Sequence, residues 1–262
     1  MTMQRWLLAI AGAAIMATIA LADELAPTGT LRAVYLSSNP AQAVRDSATG
    51  EIRGASADLA RELARRLKVS GTLTGLGGPP AVIDAVAKGE ADIGFVAYAP
   101  ERVGMVEFSQ TYMLVQQSFI VRNDSPIRSV ADIDKPGLRI AGGKGDSVTL
   151  YLARNLKQAT VVETDNTPAD TKRKFAANEI DAFGANRQRL TNLLPDLPGY
   201  RLLPDSLFGV TQTIIVPKGK PEALAAVNRF IDDVRASGFL QAAITNSGII
   251  GLDVAPAGYD KR

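Results

Sequence analysis

The spacing of apolar residues changes period repeatedly along the chain, and each change predicts an element. Leu31 to Leu36 (LRAVYL) is a short run following the turn Pro27-Thr28-Gly29, which predicts a strand. From Ser56 to Leu67 the period lengthens. Leu59, Leu63 and Leu67 recur every fourth residue while Arg61, Arg65 and Arg66 fall elsewhere, as on an amphipathic helix. Thr72 to Leu76 predicts a weak strand ended by Gly77-Gly78-Pro79-Pro80, then Ala81 to Lys88 a helix stopped by Gly89, and Ala91 to Val96 a strand. The apolar run Gln117 to Val121 leads into a polar stretch, Arg122 to Pro136, and the series starts again. Leu138 to Ala141 reads as a strand and Gly142-Gly143-Lys144-Gly145 as a turn. A helix capped by Asp146 or Ser147 then runs through Lys157. Thr160 to Glu163 is a strand, Ala169 to Ala177 a helix, and Ile180 to Ala185 a strand. Thr211 to Val216 adds a strand. Pro221 to Ser237 adds a helix with Leu224, Val227, Phe230, Ile231 and Val234 on one face and Gly238 as its stop. Strand, helix, strand, helix, strand thus occurs twice, without visible repetition of residues. The expected class is α/β, and two βαβ-type lobes plus a return segment make the simplest assembly. Such lobes bind ligands at the carboxyl ends of their strands, so two facing lobes would enclose a ligand cleft.

The first 22 residues stand outside this pattern. Arg5 precedes an uncharged run from Trp6 that ends at Ala20-Leu21-Ala22, small residues at the two positions a signal peptidase reads. Export with cleavage before Asp23 is expected. A membrane anchor is the rival reading of the same run. The expected organisation is a signal peptide over 1–22 followed by the two lobes.

Composition works by exclusion. The chain of 262 residues has neither Cys nor His, which removes disulfides, thiol nucleophiles, Ser-His-Asp catalysis and imidazole metal ligands. Its net charge is only +2, with 29 basic against 27 acidic residues, too even for a nucleic-acid binder. No carboxylate cluster has EF-hand spacing, and Gly142 to Gly145 fails the phosphate-loop pattern. No cofactor and no metal are expected.

Several short segments, in this order, resemble one family. They are Gly29-Thr30-Leu31-Arg32, Gly50-Glu51-Ile52-Arg53-Gly54 before Ala57-Asp58-Leu59-Ala60, and Lys88-Gly89-Glu90-Ala91-Asp92-Ile93. Pro100-Glu101-Arg102 follows, with Val106-Glu107-Phe108-Ser109 after it, then Val130-Ala131-Asp132-Ile133, Gly145-Asp146-Ser147 and Asn178-Glu179-Ile180-Asp181-Ala182. The chain resembles the extracellular solute-binding proteins that deliver polar amino acids to ABC transporters. The resemblance implies a periplasmic binding protein type II-like fold: two lobes joined by two crossing strands, near Gln117–Val121 and Leu207–Ile214, with hinge closure on a ligand between them. On that model one lobe takes 23–118 plus 212–262 and the second takes 119–211. It also implies a periplasmic location and a permease as partner, and a monomer is expected. Without His the chain is not expected to be an enzyme.

The resemblance also implies a site. Arg102 stands where the family grips a ligand carboxylate, a task suited to the planar guanidinium. Gly145, Asp146 and Ser147 stand where a helix start receives a carboxylate oxygen. Three departures accompany these matches. Five residues after Asp181, where an acid holds the ligand ammonium, the chain has Asn186. Where an aromatic lid is usual, it has Asn39-Pro40-Ala41-Gln42. Between Asp92 and Arg102 the segment is two residues shorter than the family's and lacks the hydroxyl residues that normally touch the ligand. Tyr98 there is either a replacement ring for the ligand or a core residue. Arg61, Arg65, Arg66, Lys68 and Lys172-Arg173-Lys174 read as solvated helix faces. The leading expectation is capture of a small carboxylated solute, amino acid-like or an organic anion, for an ABC importer. The alternatives are a cyclohexadienyl-type dehydratase on the same scaffold, or an accessory or sensor protein.

Overall fold

The computed structural model describes Ala22 and residues 24–37, 39–165 and 167–259. The expected leader, 1–22 with cleavage before Asp23, lies outside the described residues except for Ala22. The elements along the chain are β1 (Thr30–Leu36), the hairpin of β2 (Val44–Arg45) and β3 (Ile52–Arg53), α1 (Ala55–Leu67), β4 (Ser70–Leu76), α2 (Pro79–Ala87), β5 (Ile93–Ala97), β6 (Val106–Phe108) and β7 (Met113–Arg122). They continue with β8 (Arg139–Gly143), α3 (Ser147–Asn155), β9 (Thr160–Thr164), α4 (Pro168–Ala176), β10 (Ala182–Asn186), α5 (Arg187–Leu193), β11 (Tyr200–Leu202), β12 (Phe208–Pro217), α6 (Pro221–Ala236), α7 (Phe239–Asn246) and β13 (Leu252–Val254).

The chain forms two compact units. The first holds residues up to Met113, Thr211–Ile249 and Val254 onward; the second holds Leu114–Val210 with Ile250–Asp253. Strands β7 and β12 therefore each pass from one unit into the other. Residues 250–253 make a further short visit to the second unit that no sequence signal announces.

In the first unit β1 lies between β4 and β5, parallel to both, and β12 runs antiparallel to β5. Val34, Val82, Ile83, Val86, Val96 and Ile215 close one side of this sheet against α2. The stripe on α1 is buried as its period predicts, with Leu59, Leu63 and Leu67 inside. On α6, Val227, Phe230, Ile231 and Val234 are buried, but Leu224 is only half-buried; Ala223 and Ala226 take the inner positions instead. In the second unit β8 lies between β9 and β10, parallel to both, while β7 is antiparallel to β10. Phe119, Ile140, Val148 and Leu152 pack on one side of that sheet, and Phe175, Ile180, Phe183 and Leu190 on the other.

The two units share a device that the residue sequence conceals. Arg32 in β1 binds Asp92 just before β5, through its backbone N (2.7 Å), Nε (3.2 Å) and Nη2 (2.7 Å). Arg139 in β8 binds Asp181 just before β10 through the same three atoms, at 2.8, 3.0 and 2.9 Å. Each Asp N–H returns a bond to its Arg carbonyl, at 2.8 and 2.9 Å. Three residues before each Asp stands a left-handed residue, Gly89 (φ 70°) or Asn178 (φ 52°), which turns the preceding helix toward the strand. The repeat invisible in residue identities is thus a repeated ion-pair clasp between parallel strands.

Arg61, Arg65 and Lys68 are exposed as expected, but Arg66 is half-buried and an acid lies beneath this face. Glu62, 11% exposed, accepts from Arg65 Nε and Nη2 at 2.7 and 2.8 Å and from Arg66 Nε at 2.8 Å. The Arg66 guanidinium also sits 5.2 Å from the centre of the Phe230 ring. The Arg65 hydrogen bond, opposed by burial and reinforced by Arg66, lowers the Glu62 carboxyl from 4.5 to about 2. An acid with a depressed folded pKa contributes stability above its unfolded value, and that contribution is lost as pH falls through the folded value. Urea unfolding should therefore show Glu62→Gln losing less stability than the parent chain as pH falls from about 4.5 to about 2. Equal slopes in the two proteins would contradict this.

Candidate functional site

In each unit the parallel strands end along one edge, where chain leaves the sheet and ligand sites of α/β proteins form. The expected site residues fall at these edges. Three belong to the first unit and four to the second.

Beyond β1 in the first unit, Asn39 is half-buried and shapes a turn. Its N–H donates to Leu36 O at 3.0 Å, and its Oδ1 accepts from Ala41 N at 3.2 Å. Part of its polarity is therefore spent on holding the loop. Beyond β5, Tyr98 is half-buried, with its N–H on Thr211 O at 3.1 Å. Its ring stands edge-on to Phe108, centres 5.2 Å apart. Tyr98 is neither a closed core residue nor a bare lid. Next, a single 3-10 turn, Pro100–Arg102, carries Arg102 on its last residue, with Pro100 fixing the entry angle. The half-buried guanidinium donates from Nη1 to Ala97 O at 3.0 Å, which ties it back to the end of β5. No carboxylate among the fully described side chains pairs with it.

In the second unit α3 leaves β8 through the Lys144-Gly145 turn and packs tightly against the strand. A Cβ on Gly142 would lie 2.3 Å from Thr149 Oγ1, which donates to Gly143 O at 2.6 Å. Asp146 is the N-cap of α3 but makes no side-chain cap bond. Ser147, the first helical residue, is exposed, and so is Gly145. The Asp146 carboxylate instead accepts from Arg189 Nη1 at 2.9 Å. Burial pushes the Asp146 carboxyl above its ordinary value, against the downward pull of Arg189. Asn186 ends β10 and caps α5, its Oδ1 accepting from Arg189 N at 2.8 Å. Helix α5 was not expected from sequence, so this capping role was not either. The Arg189 guanidinium also lies 5.4 Å from the centre of the Phe183 ring.

Asp146 and Asn186 thus meet on Arg189, a residue that sequence reasoning passed over. The signal available was slight: an Arg in the first turn after a capping Asn. Among the described residues no group of acids could hold a metal ion, and no helix is long and apolar enough to cross a membrane.

Comparison with known proteins bears on most of the chain. A model of the bacterial extracellular solute-binding proteins, family 3, matches residues 31–246. The glutamine-binding protein of Geobacillus stearothermophilus is 27% identical over 167 residues, 62% of this chain and 63% of that protein. The match therefore spans somewhat less than two thirds of that relative's length. Among solved structures, an ancestral cationic amino acid solute binding protein has a TM-score of 0.64 at 23% identity, covering 86% of this chain and 97% of that one. An ancestral cyclohexadienyl dehydratase has a TM-score of 0.57 at 24% identity, covering 86% and 94%. At such identities the structural likenesses show the fold, the α/β type II periplasmic-binding-protein class.

Proposed function

The chain belongs to the bacterial extracellular solute-binding proteins, family 3, and from that premise we propose that it captures a small carboxylated solute in the periplasm for an ABC importer. The solute is amino acid-like or an organic anion. The observation that carries this reading is Arg102. A guanidinium held at one nitrogen by Ala97 O, at the carboxyl end of a parallel strand, retains donors for a planar carboxylate. Asn39 and Tyr98 lie beyond neighbouring or the same strand ends and supply an amide and a phenol. In the second unit Gly145, Asp146, Ser147 and Asn186 form the corresponding face, with the first-turn N–H groups of α3 left without a side-chain cap.

The role is binding, not turnover. An enzyme on this scaffold needs an acid or base poised at the site. The chain has no His, Asn186 is a neutral amide committed to a helix cap, and the Asp146 carboxylate is already engaged by Arg189. A permease that accepts the loaded protein is the partner this reading requires.

A thermal-shift screen of residues 23–262 against amino acids and small organic acids tests the proposal. A true ligand at 100 times its dissociation constant should stabilise by about 2.7 kcal/mol. No shift with any carboxylated compound would count against solute capture, and turnover of a prephenate-like acid would replace it with the enzymatic reading.

A further inference from the structure

Asn186 removes one acid from the second unit's face, but the structure places another there. Asp146 and Asn186 stand at the carboxyl ends of adjacent parallel strands, β8 and β10, whose register pairs Gly142 with Gly184. The Asp146 carboxylate is turned away from the capping position of α3 and toward Arg189. Arg189 is fixed from two further directions. Its backbone is held by Asn186 Oδ1, and its guanidinium lies near the face of Phe183, a fully buried ring. Asp146 and Arg189 side chains are 38% and 28% exposed, so the pair is open to an incoming solute.

We propose that Arg189 is a specificity-determining residue: it occupies the Asp146 carboxylate from within the chain and so turns away solutes that carry a cationic group. This rests on the solute-capture reading above. The argument is one of charge accounting. A carboxylate beside an aromatic face and partly withdrawn from water is a receptor for an ammonium or guanidinium. Here that receptor is filled by the chain's own guanidinium. A cationic solute would have to displace Arg189 or approach it as a like charge, and either costs affinity. A solute with an amide or hydroxyl at that end meets a neutralised pair and keeps hydrogen-bonding partners. Burial acting on the Asp146 carboxyl more strongly than Arg189 offsets it supports this reading: without Arg189, the acid lacks its compensating charge. Specificity here comes from a repulsive element as much as from an attractive one.

The test is calorimetric titration of L-arginine, L-glutamine and L-glutamate into the parent protein, Arg189→Gln and Asp146→Asn. Arg189→Gln should raise the arginine-to-glutamine affinity ratio by about tenfold or more, because it bares the carboxylate. Asp146→Asn should leave arginine disfavoured and raise the glutamate-to-glutamine ratio by a similar factor, because it removes the carboxylate that offsets the guanidinium charge. The two variants thus move charge preference in opposite directions, which simple loosening of the fold would not do. Ratios unchanged within about twofold in both variants, or no binding of any of the three by any form, would overturn the inference. In either case a hit in the wider thermal-shift screen would leave solute capture standing, whereas an empty screen would remove both.

Discussion

Arg102→Ala should weaken binding of the screened solute by about 2–5 kcal/mol, a loss of roughly thirtyfold to several thousandfold, because it leaves a desolvated carboxylate without its charge partner. The side chain is half-buried and its bond to Ala97 O is neutral on one side, so little of the fold depends on it. The unfolding midpoint of the ligand-free variant should therefore stay close to the parent's. Titration calorimetry reads the first quantity and urea unfolding the second. Arg102→Lys separates charge from geometry. An ammonium keeps the charge but loses the two parallel bonds, so affinity should fall between parent and Ala. If Arg102→Ala binds as tightly as the parent, the carboxylate is held elsewhere and the proposed site on the first unit is wrong.

The second large effect concerns the clasps. Asp92→Ala should destabilise the protein by about 3 kcal/mol, the lower end of the cost of breaking a buried ion pair. Asp92 is 5% exposed in its side chain, but Arg32 is 31% exposed and can recover part of its hydration. Asp181→Ala removes the same bonds from the second unit and should cost about half as much, since Asp181 is 27% exposed and Arg139 35%. Although burial raises the Asp181 carboxyl, the bonds from Arg139 outweigh it and the net direction is down. Its share of stability is thus present above the ordinary carboxylate range and fades as pH falls below it. Urea unfolding of both variants checks the order. An Asp181→Ala cost equal to or above that of Asp92→Ala would show that burial does not set the strength of these pairs.

The sequence discloses these features unevenly, and the reason is range. Helix α1 was legible because Leu59, Leu63 and Leu67 repeat within one element, and local periodicity is all that such a reading needs. Helix α5 was not. Its seven residues, RQRLTNL, are too few to establish a stripe, so the capping role of Asn186 stayed hidden behind its expected contact with solute. The clasps were hidden for another reason. Asp92 lies 60 positions from Arg32, and Asp181 lies 42 from Arg139, so neither pair exists until the sheets form. Asp146 and Arg189, 43 positions apart, are the same case. Resemblance singled out Arg102, Asp146 and Asn186 as candidates, but only three-dimensional placement shows which of them are already engaged within the chain. Strand ends shifted by one or two residues for a simpler cause: Asp92 and Asp181 read as lying inside strands that began at Ala91 and Ile180, yet each precedes its strand, with its side chain tied to the neighbour.

The brief return of residues 250–253 to the second unit bears on how this protein can be taken apart. Gln116 N–H donates to Gly251 O at 2.8 Å, its side chain reaches Asp253 Oδ2 at 2.7 Å, and Ile250 N–H donates to Gln188 Oε1 at 2.9 Å. Gly251 has φ 75°, and a Cβ there would lie 2.6 Å from Arg187 Cβ, so the bend admits no ordinary side chain. A gene fragment encoding only 114–210 would leave these partners behind, uncovering Gln116 and Gln188. Expression of the second unit as an autonomous module would need the tetrapeptide grafted back through a linker. The same four residues set the nearest safe point for a carboxyl-terminal fusion: tags belong after Tyr259, and a truncation at Ile249 would remove a piece of the other unit.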